Sequence, residues 1–474
     1  MAWPYFITHG IKSVRFFARG QQCVRSDAGS QIAWALTINA LFIQMPAFEG
    51  HASPLGPQTA DVGAISYPAG LEKKDPDKQH AVWLEFITQG DLKRASGDSK
   101  GAEKAYQASL AVGRKLVAID PENTEWQRNL SISFIMIGDM KRAAGDLRGA
   151  LEAYESSLGA ERKLAVADPG NAEWQRDVAV NLIKSGEIKQ SIGDHKGARE
   201  AYKEGLTIAR RLLANDEANQ EWQHDVAVGL FMVGDVSRDI GDQKTAIESY
   251  LASLDMDRKL ISADPGNEEW QRDTKLALSR IGDLKKSLGD LPGALNAYQE
   301  NAAVCHRLIN LDPANADWRR DASLNFAMIG DVKRAAADIP GALDAYNQSL
   351  DVSHQLASTG TTSKFAQRDV VLTLNRIGDL KLGTGDKSGA REAYENSLKI
   401  NRELAANDPQ NLQTQSDLVA SLLKVGGVNT NIQLIREARV ILQKLDDDKK
   451  MTAQLEDWRD TIDKLFASRE TVRR

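Results

Sequence analysis

A chain of 474 residues could carry chemistry on its histidines, cysteines and clustered acids, and here the first two are sparse and scattered. The seven histidines, His9, His51, His80, His195, His224, His306 and His354, follow no common period, and no two sit at metal-ligand spacing such as H-x3-H. Two cysteines, Cys23 and Cys305, exclude a disulfide scaffold and a cysteine-built zinc site. The nearest pairing is Cys305-His306. Adjacent helix positions do not face one site, so these read as a buried thiol and a surface imidazole. Neither a G-x-x-x-x-G-K-[ST] phosphate loop nor a G-x-S-x-G elbow occurs. No catalytic group, cofactor or metal is therefore expected. Sixty Lys+Arg against 66 Asp+Glu give a net charge of −6, which argues against a general nucleic-acid binder. No apolar run reaches the ~18–20 residues of a membrane-spanning helix. The side chains that do recur in step are charged: Asp139, Asp235, Asp283 and Asp331, each followed three residues later by Arg142, Arg238, Lys286 or Arg334. Such a ladder suits recognition of a charged partner rather than bond-making.

The elements that carry this ladder are set by an internal repeat. Trp126, Trp174, Trp222, Trp270 and Trp318 are evenly spaced along the chain. Tyr106, Tyr154, Tyr202, Tyr250, Tyr298, Tyr346 and Tyr394 keep the same period and account for seven of the nine tyrosines. Gly90, Gly138, Gly186, Gly234, Gly282, Gly330, Gly378 and Gly426 keep it again. Three residue types on one period mark a tandem array over residues 75–446 and leave no room there for an inserted domain.

Each unit reads as two helices. In the unit from Asn219, a good N-cap residue, Val226, Leu230, Val233 and Ile240 follow helical spacing. Gly241-Asp242 stops that helix and caps the next, which carries Ala246, Tyr250, Leu254 and Leu260. Asp264-Pro265-Gly266-Asn267 turns the chain into the following unit, as do Asp120-Pro121, Asp168-Pro169, Asp312-Pro313 and Asp408-Pro409. Helices of about 20 residues, roughly 30 Å long, are predicted. Their packing should bury the Tyr series and the Trp series, rather than offer the tryptophans as a ligand platform.

The unit resembles a tetratricopeptide repeat. Leu230, Val233-Gly234, Ala246 and Tyr250 occupy that pattern's places, as do Phe134, Ile137-Gly138, Ala150 and Tyr154, and Leu278, Ile281-Gly282, Ala294 and Tyr298. Two departures stand out. Lys141, Lys189, Lys285, Lys333 and Lys381 replace the tyrosine expected three residues after the glycine, and the unit is 48 residues long rather than about 34. The extra residues amount to about two turns per helix. The resemblance, to the long-unit arrays of bacterial proteins, implies an all-α fold: a right-handed α-solenoid of tandem helix-turn-helix units with a concave binding face.

Seven full units, a degraded eighth in which Leu442 replaces the tyrosine, and a capping helix within residues 447–474 complete the expected layout. Residues 53–74 read as a flexible lead-in. Residues 1–52 combine Lys12, Arg15, Arg19 and Arg25 with an apolar stretch from Ile32 to Ile43 and then Gly50-His51-Ala52. An export signal at 24–52, with a mature start near Ser53 and a periplasmic or secreted product, is one reading. A tail with an accidental apolar segment in a cytoplasmic protein is another, and a mitochondrial-type presequence a third.

Walking helix one at i, i+4, i+7, i+11 and i+14 gives Arg128, Ile132, Ile135, Asp139 and Arg142 in the second unit. The fourth unit gives His224, Val228, Phe231, Asp235 and Arg238. The fifth gives Arg272, Leu276, Ser279, Asp283 and Lys286, and the sixth Arg320, Leu324, Ala327, Asp331 and Arg334. By the resemblance this stripe lines the concave groove, with Arg128, Asp139, Arg142, Phe231, Asp235, Arg238, Asp283, Lys286, Asp331 and Arg334 as partner-binding residues. The groove is expected to be greasier in its N-terminal half, toward Ile135 and Phe231. The competing reading is a solvated face on which Asp and Arg pair at i, i+3 for a few tenths of a kcal/mol each. The function expected is non-enzymatic: a scaffold for a protein or peptide. A structural component that self-associates through its caps or outer face is the alternative, and a degenerate catalytic protein the third possibility.

Overall fold

The computed structural model describes residues 76–358 and 363–473. The N-terminal segment, with the export-signal reading and the lead-in, lies outside the described residues. Every element among the described residues is a helix: α1 (Pro76–Ala95), α2 (Ser99–Ile119), α3 (Thr124–Ala143), α4 (Leu147–Ala167), α5 (Ala172–Ser191), α6 (His195–Asn215), α7 (Gln220–Asp239), α8 (Gln243–Ala263), α9 (Glu268–Ser287), α10 (Leu291–Leu311), α11 (Ala316–Ala335), α12 (Ile339–Ser358), α13 (Ser363–Gly383), α14 (Lys387–Asn407), α15 (Leu412–Val428), α16 (Ile432–Asp447) and α17 (Ala453–Arg473). Starts of the odd-numbered helices from α1 to α11 recur at the same even spacing as the tryptophans. The eighth hairpin, α15–α16, is shorter, at 17 and 16 residues. No helix among the described residues is long and apolar enough to cross a membrane.

Caps explain the sharp boundaries. Asn123, Asn171, Asn219, Asn267 and Asn315 each accept a hydrogen bond from the backbone N–H of the tryptophan three residues on. Asp98, Asp146, Asp242, Asp290 and Asp386 do the same for the second helix of their hairpins. Between the two helices the chain needs one left-handed residue, and glycine supplies it, as at Gly241 (φ 81°) and Gly289 (φ 81°). In the sixth hairpin that place is held by Ala337 at φ 61°. Ala337→Gly is therefore expected to raise stability by about 1 kcal/mol, since the methyl group disfavours this backbone region. A denaturation midpoint equal to or below that of the parent chain would contradict it.

The glycine and tyrosine periods are one packing device. A Cβ on Gly138, Gly234 or Gly330 would lie 2.5–2.7 Å from the ring of Tyr154, Tyr250 or Tyr346. Each ring covers the first helix of its own hairpin where that helix has no side chain, and each of these three tyrosines is 0% exposed. Small polar side chains allow the same close approach deeper in the contact: Ser323, Ser349 and Ser353 are buried and bonded to one another across α11 and α12. Trp126, Trp270 and Trp318 are buried at 7–8% exposure, while Trp174 and Trp222 are half-buried, so this series is packing.

The described residues fall into two compact units, one up to residue 208 and one from residue 209 onward. In the first, α1 pairs with α2 and α3 with α4 around Trp83, Tyr106, Met136 and Ile137. In the second, successive hairpins from α7–α8 to α15–α16 stack in order. At its C-terminal end α17 lies as a cap, with Leu455 and Ile462 buried in one cluster with Leu422 and Leu442.

Candidate partner-binding face

The acids of the stripe are committed inside the protein. Tyr154 Oη donates to Asp139 at 2.5 Å, Tyr250 to Asp235 at 2.5 Å, Tyr298 to Asp283 at 2.5 Å and Tyr346 to Asp331 at 2.8 Å. Burial, the neighbouring carboxylate and the bond to it hold these phenols above their ordinary range. A cation from the next hairpin meets most of the same acids. Lys184 Nζ lies 2.8 Å from Asp139, Arg280 Nε 2.9 Å from Asp235 and Arg376 Nε 3.3 Å from Asp331. Lys424 bonds Asp379 in the same way. Asp283 has Met328 at that register, keeps only its tyrosine among these partners, and is exposed.

A second ladder ties the starts of successive odd-numbered helices. Arg128 reaches Asp177 at 3.2 Å and Glu173 at 3.0 Å. Arg320 reaches Asp369 at 2.6 Å, and Arg368 reaches Asp417 at 3.0 Å. His224 takes the same place and lies 2.7 Å from Asp273. Charged groups separated by 45 positions in the first ladder and 49 in the second thus cross from one hairpin to the next.

Arg142 meets Glu187 at 3.4 Å, and burial pushes that carboxyl up to about 7 despite Arg142 and Lys184 beside it. Arg238 is paired with Asp235 at 3.2 Å and with Asp239 at 3.0 Å, and its side chain is 35% exposed. Lys286 is half-exposed and Arg334 exposed, and neither makes an ion pair among the described residues. Arg272, at the head of the α9 stripe, is half-buried and likewise makes none.

Phe231 corrects the sequence reading. It is 8% exposed, with its ring centroid 5.6 Å from that of Tyr250, and packs into the core instead of facing a groove. The missing side chain of Gly234 lets the Tyr250 ring lie close against α7 beside this position. Val228, one turn earlier, is also buried at 6%. In the second unit the exposed apolar side chains of the stripe sit late instead, on α13: Leu372 at 41% and Leu382 at 40%; Phe365, at the start of the same helix, is 47% exposed and lies under the Arg320 guanidinium. The i, i+3 pairing expected of Asp and Arg holds for Asp235 and Arg238, whereas the pairing of Asp235 with Arg280 joins one hairpin to the next.

Two further features were not singled out in the sequence. A cleft of about 360 Å³ in the first unit lies between α4, α5 and α6, floored by Leu158, Gly159 and Leu182. Its walls are bridged by Arg162–Glu204 at 2.7 Å and Lys189–Glu155 at 3.3 Å. Glu161, on α4, is 1% exposed and accepts hydrogen bonds from Ser131, Ser157 and Asn181. No group of three or more potential metal ligands occurs among the described residues.

No protein-family model and no curated protein sequence matches the chain. It is similar in fold to several solved structures. BtubC from P. vanneervenii is 18% identical over 54% of this chain and 91% of that one, with a TM-score of 0.43. The C-terminal part of a TPR repeat-containing protein from Cytophaga hutchinsonii is 12% identical over 73% and 99%, with a TM-score of 0.39. A tetratricopeptide repeat protein from Parabacteroides merdae is 13% identical over 72% and 99%, with a TM-score of 0.35. With its tandem hairpins, its Asn and Asp caps and the glycine–tyrosine contact in each full hairpin, the chain is an all-α solenoid of tetratricopeptide type.

Proposed function

We propose that the chain is a non-enzymatic scaffold that binds an acidic segment of a protein along the concave, helix-one face of its array, chiefly on residues 209–474. Arg238, Lys286 and Arg334 meet the partner's carboxylates there. Asp235, Asp283 and Asp331 hold the face together, and Arg128, Asp139 and Arg142 occupy the corresponding stripe of the first unit. One observation supports this most. At a common register Lys286 and Arg334 reach solvent without an ion pair among the described residues, while Asp283 and Asp331 beside them accept from tyrosines and Asp331 also meets Arg376 of the next hairpin. The face therefore offers its cations outward, while its acids are tied to tyrosines of their own hairpins.

Reversing Arg238, Lys286 and Arg334 to Glu together is expected to weaken binding of a partner recovered by pull-down by about 1–3 kcal/mol in total, because exposed ion pairs contribute up to about 1 kcal/mol each. Helicity by circular dichroism should not change. Unchanged affinity in the triple variant, with loss on substituting the even-numbered helices, would move the site to the outer face. A concentration-dependent oligomer insensitive to these three residues would favour self-association instead.

A further inference from the structure

The stacked array uses one kind of clasp at several joints: a base near the start of one odd-numbered helix meets an acid near the start of the next. At Arg128, Arg320 and Arg368 the base is an arginine, which stays charged at any pH a protein survives. At the joint between hairpins α7–α8 and α9–α10 it is His224, which can lose its charge.

This joint is also the most enclosed. The side chains of His224 and Asp273 are 6% and 8% exposed, and Nε2 lies 2.7 Å from Oδ2. Beneath them Asp257, on α8, is 1% exposed, and its Oδ1 has no hydrogen-bond partner among the described residues. Within residues 209–474 the titratable groups that face His224 are Asp273 and Glu269 from α9, Asp257 from α8 and Asp225 from its own helix. One base thus stands among four acids, two of them buried. A buried pair of carboxylates sharing one cation is stable only if one carboxyl carries a proton.

We propose that this joint is a proton-dependent clasp. The His224 imidazolium on α7 holds Asp273 on α9 above a protonated Asp257 on α8, and loss of the imidazolium proton to solvent in alkaline solution releases the two hairpins from each other.

The direction of the titrations agrees with the geometry. Burial opposes the charge on His224, but the bond to Asp273 and the surrounding acids overcome it and push the imidazole up to about 9. Burial and the neighbouring Asp273 raise Asp257 well above the ordinary carboxyl range. For a histidine raised from 6.5, the stabilisation is fully present below about 6.5 and is lost as pH rises through about 9.

The test uses the full chain and hydrogen exchange of the α7 and α9 amides, with His224→Arg as the reference at each pH. Between pH 7 and pH 10 the parent should lose roughly fiftyfold more protection than His224→Arg, which has the always-charged clasp seen at Arg128, Arg320 and Arg368. His224→Gln should be less protected than the parent already at pH 7 and flat with pH. Asp257→Asn should leave protection at pH 7 intact, because the amide replaces a carboxyl that is already uncharged. An imidazole resonance that vanishes in His224→Arg should titrate well above 6.5 in the parent. Parallel loss of protection in the parent and His224→Arg, titration of that resonance near 6.5, or loss of protection at pH 7 in Asp257→Asn would each overturn the proposal.

Discussion

Gly234→Ala is expected to destabilise the hairpin α7–α8 by about 3 kcal/mol, at the upper end of the cost of overpacking a core. The new Cβ would sit 2.7 Å from Cδ1 and Cε1 of Tyr250, a contact closer than carbon atoms tolerate. The ring cannot retreat. It is 0% exposed, Phe231 packs beside it, and its hydroxyl is tied to Asp235 at 2.5 Å, which Arg280 of the next hairpin also holds. The strain must therefore spread the two helices apart. Removing the ring removes the clash, so the double variant Gly234→Ala/Tyr250→Ala should cost less than the sum of the two single changes by more than about 1 kcal/mol. Because a stacked array can open one hairpin at a time, amide exchange in α7 and α8 is the cleaner readout than a single global midpoint. Parent-like exchange in Gly234→Ala, or strict additivity in the cycle, would mean that the glycine and tyrosine periods are unrelated.

That pair also shows what could be read from the sequence. The periods of Gly, Tyr and Trp, together with the Asn and Asp caps, mark the helix starts from α3 to α11, because each depends on contacts inside one unit. The array then repeats whatever one hairpin does. The partners across the stack were not legible in the same way. Arg280 meets Asp235 and Arg128 meets Asp177, at sequence separations of 45 and 49 that depend on how far one hairpin slides against the next. A scan for opposite charges at one unit length plus or minus a helical turn would have found them. It would also have shown the alternation of Met136, Lys184, Met232, Arg280, Met328 and Arg376 at the position that reaches back to the acids. Exposure along the stripe was the least legible part. Phe231 and Leu372 sit at neighbouring places on equivalent helices, yet one is 8% and the other 41% exposed. Helical spacing gives the direction in which a side chain leaves its helix, but not what the adjacent hairpin lays over it.

The second large effect is expected at Glu161, where the same stacking places a carboxyl in the core of the first unit. Its three donors, Ser131 at 2.7 Å, Ser157 at 2.9 Å and Asn181 at 2.9 Å, would ordinarily favour the ionised form. Burial outweighs them, with the charge of Asp177 adding to it, and pushes the carboxyl from 4.5 up to about 7. The sign follows directly. The folded chain keeps a proton that the unfolded chain releases above about 4.5, so this group lowers stability as pH rises through 7. The full displacement corresponds to on the order of 3 kcal/mol lost above neutrality, with little solvent relief because the side chain is fully buried. Glu161→Gln removes the ionisation. Its amide then faces the amide of Asn181, which costs about 1 kcal/mol unless that side chain turns over. The variant is therefore expected to be more stable than the parent by about 2 kcal/mol at pH 8, and equal or slightly less stable at pH 4.5. Urea midpoints of both chains at the two pH values decide the matter. A loss of stability at pH 8 would mean that Glu161 is ionised in the folded protein and that its three hydrogen bonds outweigh its burial.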